Sequence, residues 1–158
     1  MFSIEKISPQ TRPFVDRQIA ESWGGPFVVS RGILHDTRSH AGFAALEGGE
    51  VIGYILYNIA GGDCEITVLE CMRPGRGVGG ELINEVLRAA REAQCRRVWL
   101  ITTNDNTRAI RFYQRFGFTL KAVHINAMDT ARLLKPQIPL TGDDGIPIQH
   151  EFEFEMTL

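Results

Sequence analysis

The segment Arg73-Pro74-Gly75-Arg76-Gly77-Val78-Gly79-Gly80 is the densest chemical signal in the chain, with four glycines in six positions. Glycine lets a backbone approach a ligand closely and turn its N–H groups toward it. The best helical pattern in the sequence begins at Val78, so the loop opens onto a helix N-terminus carrying about half a positive charge. Arg76, with Arg73 beside it, could add a charge-assisted contact. The chemistry described is a cradle for a pyrophosphate. The bland alternative is a turn with no ligand, which would retain four entropically costly glycines for no gain.

As spaced, Gly75, Gly77 and Gly80 also satisfy the dinucleotide fingerprint GxGxxG, with Asp105 as a candidate ribose-binding acid. Three features weigh against an NAD-dependent oxidoreductase. Asp105 lies 25 residues beyond Gly80, further than the usual 20 or so. Some seventy residues of hairpin-like sequence precede the motif. The chain after Gly80 alternates too little between strand and helix to build a second mononucleotide half.

The elements that must position this loop can be read from the apolar spacing. Residues 2–7 read as a strand and Arg12–Trp23 as a helix ended by Gly24-Gly25-Pro26. Residues 24–40 carry no clear pattern. Residues 41–47 and 51–59 flank Gly48-Gly49 and form a hairpin, and Gly61-Gly62-Asp63 turns into a strand over 64–72. Residues 78–93 place Val78, Leu82, Ile83, Val86, Leu87 and Ala90 on one helical face. Residues 97–102 (RVWLIT) read as a central strand buried on both sides. Residues 106–116 form a helix closed by Gly117, then come a strand over 119–126, a short helix over 128–135 and a Pro/Gly-rich loop. Residues 150–158 alternate Glu151, Glu153 and Glu155 with Phe152, Phe154 and Met156, the pattern of a half-buried strand. Such a strand is expected at a sheet edge, where it would pair with a second copy to give a homodimer, or carry its glutamates as a guard against that pairing. The fold class is α/β or α+β around one mixed sheet in a single domain over residues 1–158.

A second constellation, Asn104 through Phe118, comes after the RVWLIT strand. Together with the glycine loop it resembles the GNAT superfamily of N-acetyltransferases, whose phosphate loop reads Arg/Gln-x-x-Gly-x-Gly/Ala and whose later segment reads Asn-x-x-Ala-x-x-Phe-Tyr-x-x-x-Gly-Phe. Asn106, Ala109, Phe112, Tyr113, Gly117 and Phe118 match the second, and Gly77 and Gly79 the first. Pro74 stands where the superfamily has Arg or Gln, leaving Arg73 and Arg76 as the neighbouring cations. The resemblance spans residues 41–120, and the tail is similar to that of an uncharacterised bacterial branch.

The resemblance implies a mostly antiparallel sheet with splayed strands, flanked by helices, that binds acetyl-CoA. The pantetheine would lie along the strand over 64–72, with Leu69 and Cys71 near the thioester. The phosphates would sit on residues 75–80, Asn106 would reach the pantetheine arm, and Tyr113 the sulfur. The reaction would acetylate a primary amine of a small molecule or protein by direct attack. An alkylamine near pKa 10.4 needs roughly 4–5 kcal/mol to expose its lone pair at pH 7, so a base or a desolvated site is required. Glu65 and Glu70 are the candidates; strict alternation puts them on opposite faces, so at most one enters the cleft unless a bulge intervenes. Tyr113 is expected to hydrogen-bond the departing thiolate and Cys71 to be structural. The acceptor pocket is expected from residues 23–40 and the 141–148 loop, with Trp23, Arg31, His35, Asp36 and His40 as candidate lining. A non-catalytic acyl-CoA sensor is the alternative from another class.

Composition sets the outer limits. The net charge is −2, yet residues 73–121 hold ten of the seventeen basic residues and four acids. That asymmetry suits a small anionic ligand better than nucleic acid, since the arginines lack interleaved aromatics. No apolar run suggests a membrane span. Cys64, Cys71 and Cys95 have no metal-site spacing, so no metal and a reducing, cytoplasmic setting are expected.

Overall fold

In the computed structural model, which describes residues 1–158, nine strands and four α-helices succeed one another along the chain. They are β1 (Ser3–Lys6), α1 (Arg12–Trp23), β2 (Phe27–Ser30), β3 (Ile33–Asp36), β4 (Ala41–Glu47), β5 (Glu50–Ala60), β6 (Asp63–Cys71), α2 (Val78–Glu92), β7 (Arg97–Thr103), α3 (Thr107–Phe116), β8 (Thr119–His124), α4 (Ala127–Leu134) and β9 (Glu151–Thr157). Seven strands form one sheet in the order β1-β4-β5-β6-β7-β9-β8. Only β6 and β7 run parallel; every other neighbouring pair is antiparallel. A single parallel step cannot make a doubly wound dinucleotide fold, which overturns the nicotinamide alternative.

The sheet is covered on both faces. On one, α2 buries Val78, Leu82, Ile83, Val86, Leu87 and Ala90 against Phe43, Ile55, Ile66, Val98, Leu100 and Phe154. Those helix positions are the ones the heptad-like spacing marked, because one stripe of a helix is all that a flat sheet can cover. Gly53 lies beneath this helix: a Cβ there would fall 2.8 Å from a Val78 methyl. On the other face, α1 buries Val15 and Ile19 against Tyr54, Leu56 and Val68.

Two expectations are corrected. Residues 24–40 are not patternless: β2 and β3 pair as a separate hairpin, closed through Arg31 and Gly32, both at positive φ, and packed beside the α1 face. More consequentially, β9 is not an edge strand. It sits between β7 and β8, so it has no free side for pairing with another copy; the edges are β1 and β8. Two of its three glutamates are not solvated either, since Glu151 and Glu153 are buried beneath the hairpin and its flank. Alternation reports two chemically different faces, but here the polar face is covered by another element.

Candidate functional site

The parallel pairing of β6 with β7 covers only Cys64 to Ile66 against Val98 to Leu100. Beyond it the strands part, and a cleft of about 610 Å³ opens between Thr67, Val68 and Leu69 on one wall and Ile101, Thr102 and Thr103 on the other. The cause of the parting lies in β6. Its register against β5 passes from Tyr57↔Ile66 to Leu56↔Val68, leaving Thr67 opposite nothing. Such a bulge bends its strand and adds local twist.

The bulge also reverses the alternation. Ile66 faces the α2 core, yet Val68, two residues later, packs with the α1 core. Glu65 and Glu70, expected on opposite faces, therefore both emerge on the α1 side. They meet different surroundings there. Glu70 is tied up outside the cleft: Tyr54 donates to one oxygen at 2.5 Å and Ser22 to the other at 3.0 Å. Glu65 lines the cleft, 6% exposed, and accepts a 2.5 Å hydrogen bond from the Ser30 hydroxyl. Burial pushes its carboxyl up to about 7, with Ser30 and Arg31 pulling down and Glu151 and Glu153 adding to the rise.

Glu65 Oε1 lies 3.5 Å from His35 Nε2. The His35 ring packs edge-on against His40, 5.5 Å between centroids, and His40 Nδ1 lies 2.8 Å from the hydroxyl of the bulge residue Thr67. Burial lowers both imidazoles below their usual range, so at neutral pH this chain of rings is uncharged. Asp36 is instead committed to Arg38, which donates to both its oxygens. Trp23 lines the cleft, as does Ser30 from the hairpin.

On the α2 side the cleft is lined by Leu69, Asn106, Ala109 and Tyr113. Asn106 caps α3, its side chain accepting the Ala109 N–H at 3.2 Å. Tyr113 is fixed by Phe112, Phe118 and Phe154 at 5.3, 5.6 and 6.3 Å between centroids. Its hydroxyl has no hydrogen-bond partner in the chain, and burial, with Cys71 adding, holds its pKa well above the ordinary phenol value. A buried phenol of this kind donates a hydrogen bond and keeps its proton. The Cys71 thiol is likewise raised by burial and packs beside Phe112 over Gly79.

The glycine loop comes directly after β6. Gly77 is the N-cap of α2 at φ +77°, and a Cβ there would meet nothing within 4 Å. Gly79 serves packing: its Cβ would fall 3.1 Å from the Phe112 ring. The amides from Gly75 through Val78 to Gly80 donate to no group of the protein. Open space over unpartnered amides at a helix start is what a diphosphate needs. Arg73 and Arg76 turn away to the β4–β5 corner: Arg76 pairs with Glu47, and Arg73 reaches Glu47 at 2.8 Å and Glu50 at 2.7 Å. The Arg76 hydrogen bond holds Glu47 down at about 2.

Sequence reasoning missed Ser30, Thr67 and Glu151. The bulge leaves no mark in β6 that a reader of one sequence could find. Glu151 did carry a signal, its place in the closing alternation, but that alternation was assigned to water.

A sheet parted over a cleft, next to a helix start with free amides, is suited to a ligand that carries a diphosphate on an extended arm. The chain belongs to the acetyltransferase (GNAT) family, whose profile matches residues 9–118; it is an acyltransferase, and acetyl-CoA is the co-substrate. It is similar to the uncharacterised protein YdhI of Bacillus subtilis, 45% identical over 141 residues and covering 88% of each chain. Its fold matches a Bacillus subtilis acetyltransferase solved in complex with CoA, at TM-score 0.72, 15% identity and 100% and 99% coverage. It also matches a GNAT acetyltransferase of Elizabethkingia anophelis with acetyl-CoA bound, at TM-score 0.70, 17% identity and 99% and 98% coverage. No helix is long and apolar enough to cross a membrane.

Proposed function

We propose that the protein N-acetylates a primary amine by direct attack on acetyl-CoA bound in the cleft, with Glu65 as general base and Tyr113 as the donor to the departing sulfur. The observation that carries this reading is that Glu65 and Tyr113 line one cleft from opposite faces of the sheet. The donor would enter from the α2 side, its diphosphate on the amides of residues 75–80 and its pantetheine arm beside Leu69 and Asn106. The acceptor would enter from the hairpin side.

The chemistry balances without a covalent intermediate. The amine arrives as an ammonium and gives one proton to Glu65. Its lone pair forms the C–N bond at the thioester carbonyl, the C–S bond breaks with its electrons on sulfur, and the second proton that the nitrogen must shed to become a neutral amide passes to solvent. Deprotonating the amine is uphill by roughly 4–5 kcal/mol at pH 7, and a carboxylate with pKa near 7 is far better matched to accept that proton than one near 4.5. The thiolate, of ordinary pKa about 8.5, needs a hydrogen bond more than a proton, which suits a Tyr113 that does not ionise. Glu70, with both oxygens engaged, is assigned to anchoring α1, and Cys71 to packing.

The test is release of CoA thiol from acetyl-CoA with a panel of primary amines, for the wild type, Glu65→Gln and Tyr113→Phe. Amine-dependent thiol release that both substitutions depress supports the reading. Binding of acetyl-CoA with no release for any amine would make the chain a sensor instead.

A further inference from the structure

The acids of the hairpin face divide into two kinds. Glu153 is matched by Arg97 at 2.8 Å, His124 at 2.9 Å and Arg31 at 3.7 Å, and Glu155 by Arg97 at 3.0 Å and Lys121 at 3.6 Å. Glu65 and Glu151 are not matched. Within 4 Å of Glu65 the only basic group is His35, which burial keeps neutral, and Glu151 has no basic side chain that near. Glu151 is 1% exposed; one of its oxygens accepts the Arg31 N–H at 3.1 Å, and the other has no partner. Both acids line the cleft. The one basic residue lining it, Lys135, is itself buried and donates its ammonium to the Phe27 carbonyl at 2.9 Å.

Two buried carboxyls facing one cavity with no Lys or Arg side chain within 4 Å of either are costly as they stand, because each must be ionised in a desolvated place or hold a proton. A ligand that brings positive charge relieves both. The pocket is also lined by separate pieces of chain: the end of α1, strand β2, helix α4, and residues 137–139 and 148 all contribute to its wall. The Lys135 and Arg31 contacts tie these pieces together across the acceptor end. A pocket walled by so many pieces of chain suits a short, flexible molecule better than a polypeptide.

We propose that the acceptor is a small dication of the aliphatic diamine class, with Glu65 receiving the reacting amine and Glu151 holding the second charge. The assignment rests on the reading of Glu65 as the acceptor-side base, and makes Glu151 the residue that determines specificity. It calls for no reaction beyond the acetyl transfer already written, since one amine is acetylated and the other stays an ammonium throughout.

The experiment has two arms. In the first, calorimetry on the CoA-bound protein compares 1,3- to 1,6-diaminoalkanes with propylamine to hexylamine, a binding readout independent of turnover. At least one diamine should bind at least tenfold tighter than the monoamine of the same length, and Glu151→Gln should remove that advantage. In the second, kcat/KM with acetyl-CoA is measured for the same panel and for a short peptide with a free N-terminus. The best diamine should exceed its monoamine at least tenfold, and Glu151→Gln should erase the preference chiefly through KM. Equal binding of diamines and monoamines, a preference that survives Glu151→Gln, or acetylation of the peptide in preference to every diamine would each overturn the proposal. Loss of all turnover with diamine binding intact would instead sink the transferase mechanism and leave the cation site standing.

Discussion

The Ser30 hydroxyl lies 2.5 Å from Glu65 Oε2 and gives that carboxyl its one hydrogen bond. A residue from the small hairpin thus opposes the effect of burial on a strand residue of the main sheet. Around them stand His35, Arg31, Glu151 and Glu153, and the balance leaves Glu65 at about 7. The rate of acetyl transfer should therefore rise with pH through about 7 as Glu65 loses its proton. Ser30→Ala removes the one interaction that favours the carboxylate by hydrogen bonding, and should move this limb of the kcat/KM profile to higher pH. An unmoved limb would assign it to another group.

The same residue makes stability depend on pH. Its folded pKa lies above the unfolded value of 4.5, so the native state holds the proton more tightly. Native stability falls as pH rises from 4.5 through about 7, then levels off. Glu65→Gln keeps an acceptor for Ser30 and removes this loss. Above pH 7 the variant should be more stable than the wild type by up to ~3 kcal/mol, while losing at least ~100-fold in kcat. Thermal denaturation at pH 8 and pH 5 checks this; a variant no more stable at pH 8 would contradict it.

Tyr113→Phe deletes a hydroxyl that has no partner in the protein and keeps the ring between Phe112, Phe118 and Phe154. The melting temperature should hardly move. Turnover should fall at least about tenfold with little change in acetyl-CoA affinity, because the hydrogen bond to sulfur strengthens only as the C–S bond breaks. Unchanged kcat would leave Tyr113 as a packing residue.

Glu47 competes for the cation nearest the phosphate cradle. Arg76 must leave it before meeting a diphosphate, so Glu47→Gln should tighten CoA binding a few-fold and steepen its salt dependence. Titration calorimetry at two ionic strengths reads both. Affinity unaffected by the substitution would mean that Arg76 stays at the β4–β5 corner and the amides act alone.

Arg97 touches Asp63, Glu153 and Glu155, with its guanidinium 5.1 Å from the centre of the Trp99 ring. Arg97→Ala would leave the buried Glu153 with only His124 and the more distant Arg31, and cost about 1.5–3 kcal/mol at pH 7. Burial works to raise Glu153, but its hydrogen bonds from Arg97 and His124 prevail and hold it low. That contribution is present above the unfolded pKa of 4.5 and fades as pH falls. The deficit of the variant should accordingly shrink in acid, as urea denaturation at pH 7 and pH 4 would reveal.

Much of this molecule is local. The glycine loop, the amphipathic stripe of α2, the Asn106 cap and the aromatic spacing of α3 are all decided within a few residues, by φ preference, helical period and capping. They are legible because neighbours in sequence are neighbours in space, and they carry the donor side of the site. The order of the strands, the bulge at Thr67 and the hairpin over β9 depend on partners tens of residues away. Single-sequence alternation could say that Glu151, Glu153 and Glu155 share a face, and it did, but not whether water or protein covers that face. Nor could it say that an extra residue in β6 brings Glu65 and Glu70 to the same side and then separates them by what each meets. The acceptor side belongs to the tertiary structure because burial, which sets the charge of Glu65 and Glu151, is a property of what packs against a residue and not of the residue itself.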